Sequence, residues 1–115
     1  MPQFLFSYRS AKDYNGAADP DGLAAWSSFI NDVIAPNVVD PGWPVFEPAA
    51  VLGETGPSTQ HGGYAVVTAD DLQTAVSMAE HCPTITRGGG LEVAPLVALP
   101  PEHPAEQIRS RQSMP

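Results

Sequence analysis

Positive charge is scarce in this sequence. Five Lys and Arg stand against 13 Asp and Glu, giving a formal net charge of −8 and a pI near 4.5. Nucleic-acid-binding surfaces concentrate cations against phosphate, and this chain has few to concentrate. The same shortage argues against docking on anionic membranes. Cysteine is almost absent too. Cys82 stands alone, so an internal disulfide is excluded and the cytoplasm is the expected compartment. No apolar run approaches the ~20 residues of a transmembrane helix. Met1-Pro2-Gln3-Phe4 carries neither the basic nor the apolar stretch of a secretory signal, so export is not expected.

Proline and glycine are plentiful instead, at 13 and 10 residues, which assigns much of the chain to turns, loops or a tail. The 115 residues, 43% of them hydrophobic, match the ~100–150 of a single domain. A chain of this size buries roughly two-thirds of its unfolded surface and needs no staple.

Phe4, Phe6 and Tyr8 alternate with Gln3, Leu5, Ser7 and Arg9, the period-two pattern of a strand over residues 3–9. A polar stretch follows to residue 18. Asp19-Pro20 then opens a helix, with a capping carboxylate before a proline at the first helical position. Leu23, Trp26, Phe29 or Ile30, Val33 and Ile34 make one apolar stripe, which Pro36 ends. Residues 37–48, with the turn Asp40-Pro41-Gly42-Trp43, read as an irregular connection. A short strand is expected at 49–52, a loop at 53–62 and a strand at 63–69. Asp70 is expected to cap a second helix whose Leu72, Ala75, Val76, Ala79 and Cys82 share one face, and Pro83 stops it. A glycine-rich turn at 84–90 leads to a last strand at 91–99. Pro95 places that strand at a sheet edge or marks a bulge.

Residues 1–99 thus form one domain and 100–115 a polar, proline-rich tail. The tail's charges cancel, so the −8 belongs to residues 1–99; the tail itself is expected to be disordered or docked on a partner. The order βαββαβ, with two interleaved right-handed crossovers, predicts an α+β fold, the ferredoxin-like plait. Four antiparallel strands then carry both helices on one face. By parity Leu91 and Val93 face the helices, while Glu92, Ala94 and Leu96 face the open side. Ala94 and Leu96 are too apolar for a solvated face, so a second copy, packed sheet to sheet, is the expected cover.

Several motifs fall in a family order. A Gly63-Tyr64 strand precedes an Ala69-Asp70-Asp71-Leu72 helix start. An alanine-rich helix ending in Cys82-Pro83, a glycine turn and a Glu92-Val93 strand follow. Residues 62–96 resemble the C-terminal half of the YCII-related family, which includes the DGPF-domain proteins. The first strand, the Trp26 helix and residues 39–45 are also similar to it, so the resemblance covers most of residues 3–98. It implies a ferredoxin-like subunit in a dimeric α/β barrel. In some members a His–Asp pair in the cleft between the helix-free sheet faces is proposed as catalytic. Related barrels include monooxygenases and isomerase-like enzymes acting on small aromatic or lactone compounds. This chain departs from the pattern. It has no histidine in its first strand or first helix, and Ser58-Thr59-Gln60-His61 stands where the Asp-Gly-Pro-Phe motif is absent. Asp40 is the nearest match to the family acid.

His61, before Gly62-Gly63, is the leading candidate for moving a proton, with Asp40 or Glu92 as its partner. The plainer reading is an exposed loop histidine. Glu92, beside Ala94 and Leu96, is a second candidate base; its plainer reading is a salt bridge to Arg9. Tyr8, Arg9, Trp43 and Tyr64 are candidate ligand contacts in an apolar pocket for an aromatic compound. Trp26 lies on the apolar stripe and reads as core. Trp43, in a proline-rich loop, reads as a dimer contact or a cleft lid.

Glu80-His81-Cys82 cannot converge on one ion, because successive helical residues point ~100° apart, so no metal site is expected. Residues 53–59 lack the lysine and following helix of a phosphate loop. Gly88-Gly89-Gly90 leads into a strand and offers no helix N-terminus to an anion. No nucleophile elbow occurs, and no cofactor is expected. His103 falls in the tail. Three readings follow: a small-molecule binder with a cleft at the sheet face, a cleft enzyme doing acid–base chemistry through His61, Asp40 or Glu92, and a structural or regulatory dimer with the tail as its arm.

Overall fold

A computed structural model describes residues 1–45, 47, 49–54 and 59–112. Strand β1 (Gln3–Ala11) is followed by helix α1 (Pro20–Phe29), which continues through a π-turn at Ile30–Ile34 and a 3-10 turn at Ala35–Asn37. Strands β2 (Val38–Asp40) and β3 (Thr59–Thr68), helix α2 (Leu72–Ala79), a 3-10 turn at Pro83–Arg87, strand β4 (Gly90–Pro95) and helix α3 (Pro104–Gln112) complete the chain. The sheet order is β2-β3-β1-β4, antiparallel throughout. This is the ferredoxin-like plait, extended by a third helix.

The strand alternation holds. Phe4, Phe6 and Tyr8 of β1 and Ala65 and Val67 of β3 are buried against Phe29 and Ile34 from the first helical stretch and Ala75 and Ala79 from α2. Both helices therefore cover the same sheet face. Trp26 joins this layer between Tyr8 and Phe29, edge-on to each, with ring centroids 5.0 and 5.8 Å away. Cys82 closes the layer, and burial pushes its thiol up to about 11, so it packs as an unreactive apolar group. Leu72 and Val76 remain exposed, so the buried face of α2 is narrower than its sequence pattern suggests.

Five expectations need correction. The cap of α2 is Asp71, which accepts the Thr74 N–H at 2.7 Å, and not Asp70. Residues 49–52 form no strand and are exposed; the fourth strand is Val38–Asp40, in the stretch read as irregular. There Val38 and Asp40 find partners on β3, whereas the 49–52 run has no strand partner among the described residues. Strand β3 begins at Thr59, so His61 sits in a strand and not in a loop. Strand β4 stops at Pro95, which does lie on the edge strand. Residues 104–112 of the tail are helical, with Pro104 at the start. Glu106 ties the helix back by accepting the Leu99 N–H at 3.0 Å and pairing with Arg109 at 2.8 Å. Those bonds pull its carboxyl down to about 2, the Arg109 contact contributing most. Residues 55–58 of the expected loop and 113–115 of the tail lie outside the described residues.

Asp19 caps α1 as its sequence predicts, accepting the Gly22 N–H at 3.0 Å. Its other oxygen accepts from Tyr14 Oη at 2.8 Å and Arg87 Nε at 2.6 Å. This links the start of α1 to the turn before β4. The Arg87 bond first, then those of Tyr14 and Gly22, hold the Asp19 carboxyl below the usual aspartate range. A lowered folded-state value stabilises the protein above the ordinary aspartate value and is lost as pH falls below it. Asp19→Asn keeps a capping side chain but removes the charge. It should lower Tm at pH 7 by roughly 3–5 °C. The gap to wild type should close below about pH 4. Thermal melts at pH 7, 5 and 3 check this, and a gap of constant size would contradict it.

Candidate functional site

The helix-free face of the sheet is set by parity and register. Since Phe4, Phe6 and Tyr8 turn to the helices, Leu5, Ser7 and Arg9 occupy the other face. Directly paired residues of antiparallel strands share a face. One row across the sheet therefore reads Asp40, Val66, Leu5, Ala94, and the next reads Tyr64, Ser7, Glu92.

His61 joins this face through an irregularity. Counted back from Val67, Ala65 and Gly63, position 61 has helix-facing parity. The register shifts between Tyr8 and Arg9: Tyr8 pairs with Gly63 and Arg9 with His61, leaving Gly62 as an extra residue. Such a bulge re-aims the side chains beyond it, and it places His61 opposite Arg9 on the open face. The His61 Nδ1 accepts the Gly63 N–H at 3.1 Å. A neutral ring so held carries its proton on Nε2 and presents that nitrogen as a donor.

Arg9 does not pair with Glu92. Its Nε donates to Thr59 Oγ1 at 3.0 Å and its Nη2 to the Thr59 carbonyl at 2.9 Å. Glu92 is exposed on β4, opposite Ser7. Among the described residues neither it nor Asp40 forms an ion pair with His61.

The β2 end is built by close backbone contact. Asp40 Oδ1 accepts the Gly42 N–H at 2.9 Å, and its Oδ2 receives a long contact from Tyr64 Oη at 3.5 Å. Gly42 has φ +75°, and a Cβ there would lie 1.5 Å from the Tyr64 carbonyl oxygen. Pro44 bridges to Gly63, and the Val45 N–H donates to the Gly62 carbonyl at 3.2 Å. Trp43, at the crest of this loop, is 75% exposed.

The open face thus gathers Arg9, Asp40, His61, Tyr64 and Glu92, while Tyr8 does not belong to it. Tyr8 lies in the core, 6% exposed, and its hydroxyl has no hydrogen-bond partner among the described residues. Burial raises its pKa, with a smaller contribution from Cys82. Sequence reasoning missed Thr59 as the anchor of Arg9; its place beside His61 in a continuing strand was the available signal. Among the described residues no three His, Cys, Asp or Glu side chains gather for a metal, and no helix is long and apolar enough to cross a membrane. A groove of about 580 Å³, lined by Leu99, Pro101, Glu106 and Arg111 among others, lies along α3.

No family model matches the chain, and no curated protein matches it. Among solved structures it is similar to 5-chloro-2-hydroxyhydroquinone dehydrochlorinase from Burkholderia phenoliruptrix AC1100 in complex with 2,5-dihydroxybenzoquinone. The TM-score is 0.54 at 17% identity, over 84% of this chain and 93% of that one. That likeness is one of fold, and it agrees with the α+β plait built here from strand order and register.

Proposed function

We propose that this chain is a YCII-like subunit that binds a small hydroxylated aromatic compound on its helix-free sheet face, with a second copy closing over it. One observation carries the reading. Leu5, Val66 and Ala94 make an apolar row for a flat ring, with Asp40 at its β2 end, Tyr64 and Glu92 in the next row and Arg9 and His61 in the row after that. Few convergent polar groups on an apolar surface are what a small-molecule site requires. The apolar row also gives a second copy apolar surface to cover, as does Leu96, 44% exposed just past β4. The similarity in fold to a dehydrochlorinase solved with a dihydroxyquinone supports the choice of ligand class.

The tautomer held by Gly63 favours a second reading, acid–base catalysis in which Glu92 or Asp40 abstracts a proton and the His61 Nε2–H stabilises, by hydrogen bonding, the oxyanion that forms. Titration with 2,5-dihydroxybenzoquinone, followed by its visible absorbance, tests binding. Saturation is expected below about 1 mM, with one site per subunit. Sedimentation of the same sample should give a dimer. A monomer with no saturable spectral change would overturn the reading.

A further inference from the structure

Arg9 is out of keeping with the charges of this protein. Of the other four cations, Arg87 is held by Asp19 and Arg109 by Glu106, while Lys12 and Arg111 are exposed to solvent. Arg9 is half-buried on the sheet face of a chain with net charge −8, yet has no carboxylate partner among the described residues. Its guanidinium is nonetheless fixed. Thr59 takes Nε and Nη2, which leaves Nη1 with both N–H groups to offer. Directly across the strand pair is His61, whose Nδ1 is occupied by the Gly63 N–H and whose Nε2–H is left to donate. Side chains so paired have Cβ atoms about 5 Å apart.

We propose that Arg9 and His61 form an oxyanion-recognition pair at one end of the sheet face, selecting a ligand that carries a deprotonated oxygen, either a carboxylate or an acidic enol. This deepens the sheet-face reading and rests on it. The pair consists of donors only. A neutral hydroxyl would find nothing there to accept its proton, whereas an oxyanion satisfies both groups through a charge-assisted bond and a neutral one. Each donor is anchored by a bond of its own, so little ordering remains to be done on binding. Asp40 on β2 and Glu92 on β4 repel the same oxygen elsewhere on the face. The ligand is therefore oriented, with its acidic group at the Arg9–His61 end and its remaining hydroxyls at the carboxylates.

The test uses the full chain and two quinones of similar shape: 2,5-dihydroxybenzoquinone, an anion at neutral pH, and its neutral dimethyl ether. Wild type should bind the anion at least about tenfold more tightly. Arg9→Met and His61→Leu should each cost about tenfold or more against the anion and several-fold less against the ether. Thr59→Ala, which removes the Oγ1 bond to Nε but keeps the carbonyl bond to Nη2, should give a smaller loss. Equal wild-type affinities, or variants that lose both compounds alike, would overturn the oxyanion pair while leaving the sheet-face site standing.

A second measurement needs neither a quinone nor a variant. Oxalate added to wild type should shift the Arg9 Nε–H and His61 Nε2–H resonances. That result, in a protein that binds neither quinone, would retain the anion pair and overturn the aromatic reading. No shift with oxalate and no preference between the quinones would overturn the pair.

Discussion

Phe6→Ala should lower the unfolding free energy by about 3–5 kcal/mol, a large share of the roughly 5–15 kcal/mol that holds a domain together. Phe6 is fully buried on β1, an interior strand of the sheet. The cavity left behind would have poor prospects of collapsing. Ala65 pairs with Phe6, and Ala75 and Ala79 share its core cluster; none of these has a side chain long enough to swing inward. Urea titration should show a lower midpoint with an unchanged slope. A loss under about 1 kcal/mol would mean that the helices can settle onto the sheet.

Gly42→Ala should be the most damaging change near the ligand face. A left-handed backbone alone costs an alanine about 1–2 kcal/mol. Here the added Cβ also falls on the Tyr64 carbonyl oxygen, a backbone atom that no rotamer change can move aside. Residues 41–45 must then lift from β3, breaking the Val45–Gly62 bond and the turn that holds Asp40. A total loss of roughly 2–4 kcal/mol is expected, together with quinone binding weakened tenfold or more. Gly53→Ala is the control. It has a similar φ of +70° but no neighbour within 4 Å among the described residues, so it should cost only the backbone component. Equal stabilities of the two variants would show that the loop does not rest on β3.

These two positions also mark what could be read in advance. The alternation of Phe4, Phe6 and Tyr8 and the Asp19-Pro20 helix start are local signals, and the fold kept them. That same alternation set Tyr8 with the core, so the pattern itself opposed placing it in a ligand cleft. Strand β2 was hidden because three residues leave no periodicity; what makes Val38–Asp40 a strand is the edge of β3 beside it. Residues 49–52 mislead for the opposite reason, being apolar enough to suggest a strand but joining no edge among the described residues. The glycine- and proline-containing run at 53–62 reads as a loop and takes His61 with it. In fact the strand runs through Gly62-Gly63 with one extra residue, and the face on which His61 emerges depends on that count. Parity correctly put Arg9 and Glu92 on one face, yet the guanidinium reaches along its neighbouring strand to Thr59 rather than across to the acid.

The two outer strands have a consequence for how copies of this protein can meet. Strand β2 is three residues long, and β4 ends at Pro95, which has no amide hydrogen to offer. Neither rim can template a further strand over any distance, so ladder-to-ladder growth into fibres is blocked at both sides. The proposed pairing of sheet faces uses neither rim. When two identical faces cover each other about a two-fold axis, each is used up by the other and the assembly stops at a pair.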